Sequence, residues 1–248
     1  MISVTILTKN SANYLEQVLA ALVSFDEVLI YDTGSTDNTL LIAKKFPNVT
    51  IREGILEGFG PTHNKASAAA KHDWILSIDS DEIVTPELQQ EILGLKLDPS
   101  KVYSIRRNNY YNGKWIKWCG WYPDRQYRLY NRHRTQFDDA QVHESIMLAD
   151  MQRTPLQNAL IHYPYSSTAD FLQKMQKYTE LFAEQNKGKK SSSTGKAIKH
   201  ALYAFFKSYL LKKGFLGGAE GFTIAVYNAN TAFYKYLKLA EKNKNKQN

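Results

Sequence analysis

Four apolar, largely β-branched runs punctuate the first eighty positions: "ISVTILT" (2–8), "EVLIYDT" (27–33), "NVTIREG" (48–54) and "WILSID" (74–79). Helical patterns separate them. Leu15, Val18, Leu19 and Leu22 recur at three- and four-residue intervals, and "STDNTLLIAKKF" reads as a capped helix. A further helix is expected from about Pro61 to Lys71, and Pro86 marks another helix start. Strands that alternate with helices predict an α/β fold with a parallel sheet and right-handed crossovers. In open sheets of this kind ligands bind beyond the carboxyl ends of the strands. Thr8-Lys9-Asn10, Asp32-Thr33-Gly34 and Asp79-Ser80-Asp81 all fall at such ends. Three polar clusters are therefore expected on one rim.

After residue 100 the pattern changes. "VYSIRRNNYYNGKWIKW" predicts a hairpin turning at Asn112-Gly113, and "RQYRLYN" (125–131) another strand. A Ser/Thr cluster after Pro164 marks a boundary, which gives a domain of residues 1–165 and a basic helical region of residues 166–248. The charge divides at the same place. Residues 1–165 hold 17 Lys+Arg against 19 Asp+Glu, whereas residues 166–248 hold 15 Lys, no Arg and 5 acidic residues. The whole net charge of +8 thus lies in the last third, which suits an anionic membrane surface at residues 196–240. Ile198, Leu202, Phe205 and Tyr209 are expected on one helix face there, and Lys196, Lys199, His200 and Lys207 on the other. Such a helix either lies on a membrane or docks on its own domain with its lysines in water. No nucleic acid partner is expected, since the basic third lacks arginine and resembles no nucleic-acid reader. The single cysteine, Cys119, excludes an intramolecular disulfide framework and fits a reducing compartment. The N-terminus carries no recognisable secretory signal, and no apolar run is long enough to predict a transmembrane helix.

The acidic stretch at 79–82 admits three chemistries. Asp79 and Asp81 hold a divalent cation that neutralises a diphosphate, or Asp79 is a phosphatase nucleophile with Asp81 as its acid/base, or the carboxylates merely cap the helix that starts at Pro86. The second reading, that of a haloacid-dehalogenase-like phosphohydrolase, expects the motif on an early strand. The third leaves a non-enzymatic, basic membrane-surface module.

Neighbouring motifs favour the metal. "VLIYDTGSTDNT" (28–39) resembles the "DDGSTD" segment of family 2 glycosyltransferases, with Thr33 in place of the second Asp. "GFGPTHNKASAAAKHDWILSIDSDE" (58–82) resembles the stretch from that family's Asn-containing helix to its D-x-D, and "VTILTKN" (4–10) its opening strand. "WYPDRQYRLYNRHRTQFDDAQVHESI" (121–146) and "GFLGGAEGFTIAVYNANTAFYKYLKL" (214–239) are similar to the lipopolysaccharide-core members, the WaaE/LgtF-like group. The resemblance implies a GT-A fold, that of nucleotide-diphospho-sugar transferases, with a Rossmann-like, mostly parallel sheet and a C-terminal α-helical extension. It implies an inverting transfer of a hexose, glucose first, from a nucleotide-diphosphate sugar, a UDP-sugar foremost, to a lipid-linked saccharide. The cofactor is Mn²⁺ or Mg²⁺, and the location is the inner face of the cytoplasmic membrane.

On that resemblance Thr8, Asn10, Asp32, Asn64, Asp79 and Arg128 face the donor, and Asp81, Asp79 and His162 the metal. An inverting transfer also needs a base for the acceptor hydroxyl. Glu144, in the V-H-E segment, is preferred over Asp139, with His143 beside it. Arg125 either joins Arg128 at the diphosphate or forms a surface ion pair. Trp115, Trp118, Trp121 and Tyr122 either form a sugar platform or pack the hairpin.

Overall fold

The computed structural model describes residues 1–140 and 144–244. The chain folds as two compact units, Met1–Asn108 with Asp124–His162, and Asn109–Pro123 with Tyr163–Asn248.

The first unit opens with β1 (Ile2–Thr8), α1 (Ala12–Ala20), β2 (Glu27–Asp32), α2 (Thr39–Ala43), β3 (Val49–Glu53), α3 (Phe59–Ala69) and β4 (Trp74–Asp79). The four strands pair in parallel in the order β3-β2-β1-β4. This is the alternation that the apolar runs predict. Then follow β5 (Glu82–Val84), α4 (Pro86–Leu93), β6 (Lys101–Tyr111), β8 (Arg125–Asn131) and β9 (Gln152–His162), while the end of β6 and all of β7 (Lys114–Trp115) fall in the second unit. Beyond β4 the sheet continues as β8-β6-β9-β5, and the β4–β8, β8–β6 and β9–β5 pairings are antiparallel. The α/β class holds, and the parallel run ends at β4. No crossover helix joins β6 to β8, so these strands can pair only in opposite senses.

Both faces of the parallel strands are covered. Val4, Ile6, Val28, Ile30, Leu76 and Ile78 are fully buried and share one core with α1 and with Leu88 and Ile92 of α4. Thr85 caps α4 by accepting from the Leu88 N–H at 3.2 Å, and Pro86 opens the helix. The opposite pleat presents Ser3, Thr5 and Ser77, also buried. Ser77 meets His63 of α3 there, and α3 buries small residues such as Ala66 and Ser67. Small groups on strand and helix allow close approach and leave room for polar side chains. Strand alternation then sends Asp79 to the same side as Ser77.

In the second unit Tyr110 pairs with Trp115 and Tyr111 with Lys114. Asn112 (φ 49°) and Gly113 (φ 72°) make the expected tight turn, a backbone that glycine adopts freely. The helices are α5 (Thr168–Asn186), α6 (Thr194–Phe206) and α7 (Gly218–Lys244). A π-helical turn (Lys207–Leu211) and a 3-10 turn (Gly214–Gly217) join the last two. Ser167 and Asp170 form a capping box at the start of α5. Tyr111, Ile116, Cys119, Phe171 and Ile224 form the core, with Trp118 and Trp121 packed on it. Trp121 stacks on Tyr165 at 5.7 Å and Trp115 meets Tyr122 edge-on at 5.6 Å. These aromatics pack the hairpin and its neighbours. Among the described residues no helix is long and apolar enough to cross a membrane.

Leu76→Ala is expected to lower the unfolding free energy by about 2–5 kcal/mol, because it opens a cavity in the middle of the core. Urea denaturation checks this.

Candidate active site

Strand order reverses between β1 and β4, which places a crevice beyond their carboxyl ends. Register sets Thr8 beside Asp32 and Leu7 beside Asp79 across that end. Asp32 is 2% exposed. Its Oδ1 accepts from Thr8 Oγ1 at 2.9 Å and from Ser35 Oγ, and its Oδ2 accepts from the N–H groups of Gly34 (3.0 Å) and Ser35 (2.8 Å). Burial opposes its charge, but the donors from Ser35, Thr8 and Gly34 outweigh burial and hold the carboxyl below the usual range. Asn10, at φ 54°, donates its N–H to Ser35 Oγ (2.9 Å), and its Oδ1 accepts from the Thr36 N–H (2.8 Å). Thr8, Asn10 and Asp32 therefore tie two loops into one rigid rim.

The end of β4 carries a charge cluster. Arg128, on β8, donates from Nη2 to Asp79 Oδ2 and to Glu82 Oε1, both at 2.6 Å. Glu82 is fully buried, and it also accepts from Arg107 Nη1 (3.2 Å) and from the Asp79 N–H (3.0 Å). Arg107 Nε in turn donates to Asp124 at 2.9 Å. Burial disfavours the Asp79 charge, but the Arg128 guanidinium overrides it and holds the carboxyl well below the carboxylate range. Arg128 is thus an internal counter-ion of Asp79 and Glu82. Arg125 donates to the carbonyls of Ser104 (2.8 Å) and Leu156 (3.1 Å), bracing the sheet. Glu82, the last acidic residue of the 79–82 stretch and one to which the motif assigns no role, is the buried centre of the cluster.

Asp81 faces His162, which pairs with Glu82 across β5 and β9. His162 Nε2 stands 3.6 Å from Asp81 Oδ1. Burial pushes the imidazole down to about 3, helped by Arg107. A neutral imidazole beside a carboxylate fits the donor preferences of Mn²⁺. Among the described residues no three His, Cys, Asp or Glu side chains converge on one point. A cation here would need its other ligands from phosphate and water, a common arrangement for such ions.

Glu144 and His63 meet above Ser77. His63 Nε2 is 3.9 Å from Glu144 Oε1, its Nδ1 lies 3.2 Å from Ser77 Oγ, and its ring stacks on Phe137 at 4.5 Å. Burial lowers the His63 pKa to about 4, with Asp79 and Arg128 acting in opposite senses. Asn64 uses both ends of its amide on the backbone of Phe137, donating to the carbonyl and accepting from the N–H at 2.9 Å each. The Gly60 N–H donates to the Ala140 carbonyl at 3.1 Å, and a Cβ on Gly60 would lie 1.8 Å from the Asp138 carbonyl oxygen. Asn64 and Gly60 therefore hold the 137–140 segment against α3. Asp138 accepts from Ser145 Oγ at 2.8 Å, and Asp139 is exposed. His143 lies outside the described residues.

Residues 3–155 match the glycosyl transferase family 2 profile, well over half of the chain. The chain belongs to that family. An uncharacterized glycosyltransferase of Rickettsia bellii is 27% identical over 97% of this chain and 86% of its own length. The lipopolysaccharide core biosynthesis glycosyltransferase LpsC of Rhizobium meliloti is 24% identical over 97% of this chain and 94% of its own. The crystal structure of S. aureus TarS 1-349 in complex with UDP superposes with a TM-score of 0.50 at 16% identity, over 99% of this chain and 91% of that one. That likeness bears on the fold alone.

The GT-A architecture of this family 2 transferase assembles residues that motif reading passed over. His63 is one residue before the motif Asn64, and Arg107 lies in a hairpin strand far from the D-x-D. The signal for His63 was present: on a helix starting at Phe59 it lies one turn above Phe59 and on the strand-facing side with Ala66 and Ser67. Arg107 had no local signal.

His63 stays neutral in the fold down to about pH 4 and charges in the unfolded chain near its ordinary 6.5. A base with a depressed folded pKa stabilises the fold above the unfolded value and loses that contribution as pH falls. Stability should therefore drop between pH 6.5 and 4, by about 3 kcal/mol from this residue. Urea unfolding over a pH series checks this; His63→Gln should make the fall between pH 6.5 and 4 shallower, with the share from the equally buried His162 remaining.

Proposed function

We propose that this family 2 transferase moves a hexose, glucose foremost, from a UDP-sugar to a lipid-linked saccharide such as the lipopolysaccharide inner core, by inverting single displacement. Residues 1–165 would form the catalytic region and residues 166–248 a basic helical region at the inner face of the membrane. The observation that carries the reading is the division of charge among the rim carboxylates. Asp32 is held by four donors and Asp79 by Arg128, whereas Asp81 and Glu144 each face a neutral imidazole.

The loops fixed by Thr8, Asn10 and Asp32 would seat the nucleotide. The UDP bound to TarS and the lipopolysaccharide-core role of LpsC support the donor and acceptor classes. Asp81 and His162 would hold the divalent cation, which when bound offsets the charge of the leaving diphosphate. Glu144 would take the proton of the acceptor hydroxyl as its oxygen bonds to the anomeric carbon, and the old anomeric C–O bond breaks with its electrons leaving on the diphosphate. A neutral His63 can orient Glu144 without adding a positive charge that would weaken it as a base. Asp139, exposed on the same loop, is the second choice of base. Arg128 would act through Asp79, and Asn64 through the loop that it pins. The phosphohydrolase reading is set aside, because residues 3–155 match the glycosyl transferase family 2 profile and Asp79 is engaged by Arg128.

Glu144→Gln should keep UDP binding by calorimetry and lose about 10²–10⁴ in transfer rate; undiminished transfer would move the role to Asp139. Asp81→Ala should abolish the Mn²⁺ dependence of UDP binding with the thermal unfolding curve unchanged. Release of nucleoside diphosphate from a panel of UDP-, GDP- and ADP-sugars tests the whole reading, and no release from any of them would overturn it.

A further inference from the structure

An amphipathic helix in a globular unit turns its large apolar stripe inward, and α6 does the reverse. It meets α7 through small and polar groups. Ala197 and, one turn past the helix, Ser208 are buried. His200 lies flat on Tyr236 at 3.8 Å and 8°, and Ser208 Oγ accepts from Asn228 Nδ2 at 2.9 Å. His200 thus lies on the docked side, not among exposed lysines as its spacing suggested. The large residues face solvent: Leu202 is 68% exposed, Phe206 48%, Leu211 59%, Phe215 50% and Leu216 55%. Tyr209 meets Phe205, Phe215 and Phe222 at 5.4–6.4 Å, so the aromatic part of this face is already assembled. Exposed apolar groups gathered in this way mark an interface.

Charge selects the occupant. Lys199, Lys207, Lys212 and Lys213 are exposed within the same stretch. Between residues 185 and 240 the one carboxylate is Glu220, which is buried and paired with Lys114 at 2.8 Å. A second copy of the chain would bring like charges together across the contact. An anionic bilayer offers phosphates to the lysines and acyl chains to the leucines and phenylalanines.

We infer that residues 198–222 form a surface that docks on anionic phospholipid, lying on the bilayer and not through it. The inference deepens the proposed function by naming the face on which a lipid-linked acceptor is met, and it rests on that reading for its purpose alone. The full-length protein should co-sediment with phosphatidylcholine vesicles containing phosphatidylglycerol and remain in the supernatant with phosphatidylcholine alone. Binding should weaken as salt rises. Leu202→Ser combined with Leu216→Ser, and separately glutamine at all four lysines, should each weaken binding by about tenfold or more. Their circular dichroism melts should match the wild type, because the altered side chains are in solvent. Wild-type protein that ignores anionic vesicles, or variants that bind equally well, would overturn the inference. So would a wild-type dimer that the leucine variant dissociates in sedimentation velocity, since the face would then join two copies. UDP calorimetry on the same preparations separates the two claims: lost vesicle binding with intact UDP binding removes only the docking surface, and the converse removes only the transferase reading.

Discussion

Glu82 has no solvent-accessible surface, yet it is held by two guanidinium groups. Arg128 divides one terminal nitrogen between Glu82 and Asp79, while the Asp79 N–H closes the ring on Glu82. Four strands, β4, β5, β6 and β8, are cross-linked by this cluster. Removing one partner of such a buried set costs about 3–5 kcal/mol, because the others stay buried without compensation. That is a large share of the roughly 5–15 kcal/mol by which a domain is stable. The turn that carries Asp81, and the strand end that carries His162, both start from this corner.

The same cluster governs the electrostatics of the rim. Two arginines among carboxylates keep Asp79 ionised and, together with burial, keep His162 neutral. His63 is neutral chiefly by burial. Carboxylates with fixed counter-ions are poor bases, and neutral imidazoles are good lone-pair donors. Each rim group is thereby restricted in the chemistry open to it before any substrate arrives.

The second unit follows a different rule. Its core is aromatic, with Tyr165 stacked on Phe171 at 3.9 Å. Its helices are laced by Lys238 and Lys242 to Glu180 at 3.4 and 2.7 Å. Small residues on the docked side of α6 leave its leucines outside, so burial within the unit and exposure to an outer partner use opposite sides of one helix.

Local pattern determined much of this protein. The β-branched runs and helical spacings determined four parallel strands, because period two and period 3.6 are written in the side chains themselves. Asn112-Gly113 determined the hairpin turn, and the placement of Asp32, Asp79 and Asp81 at strand ends determined the rim. Tertiary structure alone decided which of these groups are compensated. Arg107 and Arg128 reach Glu82 from strands 25 and 46 residues away. β9 was equally silent in the sequence, and it brings His162 to Asp81. Asn64 engages the backbone of Phe137 with both ends of its amide, 73 residues on, a contact that no local pattern announces. The outward face of α6 was decided in the same way, since periodicity defines two sides of a helix and only its neighbour selects the one that is buried. A sequence carries the valence of each group, but the partner that fills it comes from a distant strand, and antiparallel pairing beyond β4 has no local signature.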